Sequence, residues 1–445
     1  VVDIRMLEAE LSRTPARRRC GRVAAADGGA LLVTGLGDAA RLGDRILLAP
    51  HPDAEGVTGE IVALTEAGAR AMALGPGDRG VGLGDPVWLA PDAPLRPSDA
   101  WLGRVIGAYG APLDGRPLPE GDRPAPVRRA PPPAATRGGL GPRLSTGLAA
   151  TDTILPLARG QRIGVFAGSG VGKSLLLSTL AKGVEADVVV FGLIGERGRE
   201  LNEFIAEGLG PEGMRRAIVV AATSDESPLA RRRAAWTAMA VAEHFRDAGR
   251  HVLLILDSLT RFAEAHREIA LTAGETPSLR AYPPSTANMI AALAERAGPA
   301  GRRKGDGAIT GIFSVLVAGS DMEEPVADIT RGVLDGHVVL DRAIAERGRF
   351  PAIDIGRSVS RALPRAASEA ENAMIAEVRR LIGAYERAEP MIQTGLYQPG
   401  VDATLDRAVA LFPALDAFVA TRAEAGEGFA RLEALLRADE TSASV

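Results

Sequence analysis

The stretch Ala167-Gly168-Ser169-Gly170-Val171-Gly172-Lys173-Ser174 constrains this chain more than any other part of it. It follows the apolar run Ile163 to Ala167 and opens a segment with an apolar helical face. A Gly-rich turn between strand and helix lets backbone N–H groups point inward around phosphate oxygens. The helix N-terminus adds partial positive charge there. Lys173 can then reach the β- and γ-phosphates of a nucleotide, and Ser174 can ligate Mg²⁺. Ala167 stands where the strict pattern has its first glycine. Gly168, Ser169, Gly170, Val171 and Gly172 supply the backbone of the turn.

The surrounding residues alternate strand and helix. Apolar runs at Ile163–Ala167, Val188–Ile194, Ala217–Ala221, Val252–Leu256, Ile309–Val317 and His337–Leu340 are separated mostly by helix-period segments. This predicts an α/β domain with a largely parallel sheet. From about residue 365 the chain is rich in Ala, Glu, Arg and Leu. Three helices fit there, at about 366–388, 402–421 and 424–438.

Residues 20–92 differ. Short β-like runs (Ala30–Thr34, Arg45–Leu48, Glu60–Ala63, Pro86–Leu89) alternate with Gly/Asp turns and predict a small β-barrel or sandwich. Pro and Gly crowd residues 110–142, which reads as a connection and not as a core element. Residues 3 to about 13 place Ile4, Leu7 and Leu11 on one helical face, followed by Arg13, Arg17, Arg18 and Arg19. That is either a solvated terminus or a docking helix. The expected domains are therefore 1–19 helix, 20–92 barrel, 93–364 nucleotide-binding domain and 365–445 helical domain.

Two acidic positions extend the phosphate-binding reading. The run Leu253-Leu254-Ile255-Leu256 ends in Asp257, at the strand end where a ligand sits in open α/β sheets. Asp257 is the candidate for organising Mg²⁺ and water. The Val188 run leads to Gly195-Glu196-Arg197-Gly198-Arg199-Glu200. A carboxylate there can polarise an attacking water. Glu196 is the candidate base, though spacing alone does not choose it over Glu200, since either could cap the following helix.

Composition narrows the class. With 445 residues, 46% hydrophobic and 24% charged, the chain can bury ample core, which excludes disorder throughout. A net charge of −4 argues against nucleic acid as the main partner. Cys20 is the single cysteine, so an intrachain disulfide or Cys-based zinc site is impossible and a reducing compartment fits. No uncharged apolar run reaches 18 residues, and the sequence opens on VVDIRMLEAELSR, not on a signal peptide. A cytoplasmic location is expected. Arg outnumbers Lys 49 to 3, and one of those lysines is Lys173. A compact ammonium suits a phosphate cradle where the wide guanidinium fork does not substitute. The clusters Arg231–Arg233 and Arg302–Lys304 read as solvated helix ends.

At this point a resemblance becomes specific. GQRIGVFAGSGVGKS, LIGERGRE, LLILDSLTRFA, YPPS, ERAG and FPAIDIGRSVSR occur in that order, with GRVIGAYGAPLDG before them. From about residue 20 to 440 the chain resembles the rotary-ATPase family, related to the catalytic subunit of ATP synthase. Within that family it resembles the type III export ATPases, and FAGSGVGKS is closer to the flagellar than to the virulence-injectisome branch. The resemblance implies an α/β P-loop (RecA-like) central domain between an N-terminal β-barrel and a C-terminal helical domain, hydrolysing ATP with Mg²⁺.

The resemblance also implies residue roles. Glu196 matches the general base. Arg197 would hold the γ-phosphate or the Glu196 carboxylate. Arg361, in SVSR, matches an arginine finger inserted by a neighbouring subunit. Phe350 matches an aromatic that packs on adenine, and Tyr397, in GLYQPG, is a second candidate for that pocket. Implied partners are a homo-oligomer (a hexamer), a peripheral-stalk-like regulator, a coiled-coil central stalk protein, export chaperones and substrates, and a membrane export gate. The implied location is cytoplasmic and peripheral to the inner membrane at the flagellar base. No nucleic acid is expected.

The sequence departs from the family at Val317–Asp321, where relatives carry more acid, and at TANM after YPPS. Alternatives stay in view. They are an injectisome ATPase, an ATP synthase catalytic subunit, a ring translocase on nucleic acid and a non-catalytic nucleotide-binding subunit. The third needs an aromatic, basic barrel, but residues 1–92 hold Trp88 as their one aromatic. The fourth is disfavoured by Lys173, Glu196 and Asp257 together.

Overall fold

The computed structural model describes residues 19–27, 29–75, 81–303, 305–317, 321–422 and 426–442. The amphipathic segment at residues 3–13, Lys304 and residues 318–320 lie outside the described residues. Two compact units divide the chain. One takes in the barrel with Asp225–Arg232 and Glu264–Thr286, and the other takes the remainder from Leu95 onward.

Strands β1 (Cys20–Asp27), β2 (Ala30–Thr34), β3 (Arg45–Leu48), β4 (Val57–Thr65), β5 (Gly68–Ala73) and β6 (Pro86–Ala90) close a barrel in the order β1-β2-β5-β4-β3-β6. Its neighbours pair antiparallel. Leu31, Val33, Ile46 and Leu48 alternate with outward residues and fill the interior. Their alternation made β2 and β3 visible in the sequence. β1 and β5 are Ala-rich and carry little β-propensity of their own.

In the second unit, nine strands among the described residues form one sheet. They are β7 (Arg104–Gly107), β8 (Arg162–Ala167), β9 (Val188–Glu196), β10 (Ala217–Thr223), β11 (His251–Asp257), β12 (Gly298–Pro299), β13 (Ala308–Leu316), β14 (Gly336–Leu340) and β15 (Ile353–Ser360). The order is β15-β14-β8-β13-β11-β9-β10-β7, with β12 beside β13. All pairs are parallel except β14 with β15 and β12 with β13. The central strands are buried on both faces, which is why they read as unbroken apolar runs. The edge strands β7 and β15 have no such run and were not expected.

The C-terminal helices are Glu369–Gln393, Ala403–Ala420 and Gly428–Ser442. The first begins at a capping box: Ser368 Oγ accepts from Glu371 N, and the Glu371 carboxylate accepts from Ser368 N. Ile375, Val378, Leu381 and Ile382 dock it into the same apolar core as the sheet. The Pro/Gly-rich segment 110–142 contains nothing more regular than the turn Ala134–Thr136. It is nonetheless laid onto the core, with Ala125 and Val127 buried.

The reading of Arg231–Arg233 as solvated is overturned. Arg232 and Arg233 are buried. Arg232 pairs with buried Glu60 at 3.1 Å, and Arg233 stacks over the Tyr109 ring at 4.5 Å. Arg231 meets Glu268 at 3.0 Å. Each guanidinium has a partner that offsets its loss of water, which a run of charges in sequence does not reveal.

Candidate functional site

Parallel neighbours β8, β13, β11 and β9 end at the same side of the sheet, and their C-terminal ends build one cavity. Leu316 pairs with Ala167, Phe313 with Leu256, and Asp257 with Leu193. That register brings the loop after β8, Ser314 of β13, Asp257 at the end of β11 and Glu196 at the end of β9 together. The cavity is about 400 Å³, and Gly168, Ser169, Gly170, Gly172, Lys173 and Ser174 form part of its lining. Gly172 adopts φ +87° and starts the helix Lys173–Gly183. A Cβ there would also sit 3.0 Å from the Phe350 ring, so only glycine fits the turn under that aromatic. Val171 differs from its neighbours, because its side chain is buried in the core and only its backbone faces the turn.

Charge converges on Lys173. Its Nζ lies 2.5 Å from Asp257 Oδ1 and 3.5 Å from Glu196 Oε1. Burial alone would lower the lysine pKa, but the two carboxylates beside it win and move it up. Burial pushes the Glu196 carboxyl up to about 7. Lys173 opposes this, while the charge of Asp257 and a hydrogen bond with Glu200 add to it. Ser314 Oγ donates to Asp257 Oδ1 at 2.5 Å. Nothing in the sequence distinguished this serine from any other buried polar residue in an apolar strand.

The other candidates separate. Glu200 lines the cavity and pairs with Arg197 at 3.6 Å. Arg197 itself has its side chain 81% exposed and does not line the cavity. In this conformation no hydrogen bond or ion pair joins it to the Glu196 carboxylate among the described residues. Phe350 is 42% exposed and lies against Gly172. Tyr397 donates its hydroxyl to Asp406 Oδ1 at 2.7 Å, between the first two C-terminal helices, and is absent from the cavity wall. Arg261 lies along Gly195, which has φ +70°, and lines the cavity.

Arg361 is elsewhere. It directly follows β15, whose Ser360 pairs with Gly336 at the beginning of β14. β14 runs parallel to β8, with His337 level with Gly164. Arg361 therefore lies beside the start of β8, whereas the phosphate loop follows its end. Six strand residues separate the two levels, roughly 20 Å. The Arg361 side chain is exposed and makes no hydrogen bond or ion pair among the described residues.

Comparison with known proteins agrees with this architecture. The profile of the ATP synthase alpha/beta family, nucleotide-binding domain, matches residues 147–360. That of the T3SS EscN ATPase C-terminal domain matches residues 367–437. The chain is 47% identical to the "Flagellum-specific ATP synthase" of Caulobacter vibrioides, over 94% of each chain. It is 43% identical to that of Salmonella typhimurium, over 93% of this chain and 91% of the relative. Among solved structures, the assembled ATPase EscN of the enteropathogenic E. coli type III secretion system superposes with a TM-score of 0.87. It is 34% identical and covers 94% of this chain and 100% of EscN. EscN in complex with its central stalk EscO gives 0.83 at the same identity and coverage. Flagellar relatives thus share more of the sequence than the injectisome protein does, while the fold is common to both. The chain belongs to the ATP synthase alpha/beta family, in its flagellar type III export ATPase branch.

Proposed function

We propose that this ATPase works as a closed head-to-tail ring in which Lys173, Ser174, Glu196 and Asp257 of one subunit are completed by Arg361 of the next. The observation that carries this reading is the strand-length separation of Arg361 from the cavity of its own chain, together with its exposed, unpaired side chain. A head-to-tail contact joins two different faces of the subunit, the arrangement that would let an arginine remote from its own cavity serve a neighbour's. The family resemblance makes that ring a hexamer.

ATP is the substrate. Backbone N–H groups of residues 168–174 and the Lys173 ammonium hold its phosphates, with Lys173 turning from Asp257 toward phosphate oxygen. Mg²⁺ suits the donor set. The Ser174 hydroxyl and the Asp257 carboxylate are hard oxygen ligands on the same cavity. Two carboxylates there face the single Lys173 ammonium, and Asp257 adds to the burial that raises the Glu196 pKa. When bound, the ion would neutralise phosphate charge and polarise the γ-phosphoryl group. Glu196 orients the attacking water and takes up its developing proton. Ser314 keeps Asp257 in place. Arg361 stabilises charge on the transferred group from across the interface, an effect typically worth about 10³–10⁵ in rate.

Through the likeness to EscN with its stalk, the reading extends to a central stalk partner, which the family resemblance makes a coiled coil. The family resemblance adds a peripheral-stalk-like regulator, export chaperones with their substrates, and a membrane gate at the flagellar base. No helix of the described residues is long and apolar enough to cross a membrane. Contact with the bilayer would then be peripheral.

Phosphate release measured against protein concentration tests the shared site. Specific activity is expected to climb steeply across the assembly range, because a monomer lacks its arginine. Constant specific activity through that range would sink the reading.

A further inference from the structure

The last strand of the sheet reaches Arg361 through a bulge. Asp354 of β15 pairs with Val339 and Val359 pairs with His337, so residues 355–358 stand opposite Val338 alone. β15 is also the outermost strand of the sheet on that side, with β14 as its one neighbour. A bulge on an edge strand interrupts the ladder that would otherwise fix its register. Other contacts must fix it here.

Some come from within the hairpin. Ser358 Oγ accepts from Val339 N at 2.9 Å and donates to the Asp354 carbonyl. Asp354 Oδ1 accepts from Arg357 N at 2.9 Å, and His337 Nε2 meets the Arg357 carbonyl at 2.9 Å. The remaining clamp comes from the helix Glu369–Gln393. Arg379 Nη1 donates to the Ile355 carbonyl at 3.0 Å, and Nη2 donates to the Ser358 carbonyl. One guanidinium thus grips the first and last residues of the bulge. Burial disfavours its charge, and no ion pair to Arg379 exists among the described residues. Its charge is directed at two backbone carbonyls. Two turns further along the same helix, Glu386 Oε2 lies over Gly356, where a Cβ would come within 2.9 Å of it.

Beyond the clamp the chain to Arg361 is short and held. Ser360 Oγ donates to the Pro156 carbonyl at 2.6 Å, and Arg361 N donates to the Asp335 carbonyl at 3.0 Å. Only Val359 and Ser360 stand between the clamped Ser358 carbonyl and Arg361, so a shifted bulge pulls against these two bonds and displaces Arg361 as they yield. A misplacement of about 1 Å in such a group can cost about 10²-fold in rate.

We infer that Arg379 is a positioning residue for the arginine that completes the neighbouring site. By clamping residues 355–358 it sets the reach of Arg361, and it ties hydrolysis to the seating of the C-terminal helix. This rests on the reading that Arg361 acts across the interface.

The test compares two mixtures of full-length chains. Arg379→Met removes the donors and keeps an unbranched apolar stem. Alone, it should lower kcat about 10²-fold with KM for ATP within about twofold of the parent, because its own phosphate cavity is intact. Arg379→Lys, with one ammonium for two carbonyls, should fall between. Mixed with equal Glu196→Gln chains, Arg379→Met should regain activity. About a quarter of the interfaces then join an intact Glu196 to an intact clamp on the other chain. The reference mixture is Arg361→Ala with Glu196→Gln.

Recovery in both mixtures supports the inference. Recovery in the reference alone overturns it and leaves the shared site standing. No recovery in either overturns both. Full activity of Arg379→Met by itself also overturns it. If Arg379→Met does not fold, Arg379→Lys replaces it in the same mixture. Lowered kcat at constant KM with recovery supports the clamp, and unrecovered loss refutes it.

Discussion

Lys173 and Asp257, 84 residues apart, meet at 2.5 Å because the loop after β8 and the end of β11 open on the same side of a parallel sheet. Replacing Lys173 with Ala removes the ammonium that lies between Glu196 and Asp257 and would face the phosphates. Phosphate release should fall at least about 10²–10³-fold, while a fluorescent ATP analogue still binds weakly. Hydrolysis at the parental rate would remove Lys173 from the mechanism.

As the proposed base, Glu196 should make the rate depend on pH. Its carboxyl is pushed up to about 7 by burial, with Asp257 adding and Lys173 opposing. Below that pH the group is protonated and cannot accept a proton from water; above it the base is available. The acid limb of kcat/KM, which reports the free enzyme, should have its midpoint near 7. A midpoint near the ordinary glutamate value of 4.5 would count against Glu196 as the base.

Ser314→Ala removes the 2.5 Å hydrogen bond to Asp257 and adds no bulk. Turnover should drop about 10- to 100-fold, as for other groups that orient a metal-binding carboxylate. The Mg²⁺ concentration for half-maximal activity should rise with it. An unchanged Mg²⁺ dependence would separate Ser314 from the function of Asp257.

Phe350 lies against the phosphate loop, whereas Tyr397 is tied to Asp406 away from the cavity. If Phe350 carries the base, Phe350→Ala should raise KM for ATP about 10-fold, within the range of base–aromatic stacking. Tyr397→Phe should leave KM unchanged. The reverse outcome would exchange the two assignments.

Glu243 and Arg296 form a buried bidentate pair at 2.7 and 3.2 Å, remote from the phosphates. Glu243→Ala strands the guanidinium and should cost about 3–5 kcal/mol of stability, read from denaturant unfolding. A loss below about 1 kcal/mol would mean that water or another acid takes over.

The sequence displayed some of this and hid the rest for physical reasons. β9 and β11 are buried on both faces, so each is an apolar run ending in the acid it delivers, Glu196 or Asp257. The loop before Lys173 is visible because its backbone geometry demands glycine. β15 was invisible because an edge strand with a bulge carries Arg357, Ser358 and Ser360 among its residues. Ser314 and Arg379 act on partners 57 and more than 20 residues away, and neither residue type is unusual where it stands. The buried arginines near residue 232 were misread for the same reason, since their partners are set by packing.

The strand-length gap between Arg361 and its own phosphate loop also has a genetic consequence. On the shared-site proposal, a lesion at Arg361 should spare the chain that carries it and disable the one next door. A lesion at Lys173 should disable its bearer. Two such alleles expressed together should complement in part, whereas both lesions in one molecule should poison two sites for each faulty chain incorporated. Dominance would then depend on which side of the subunit is broken, as well as on how badly.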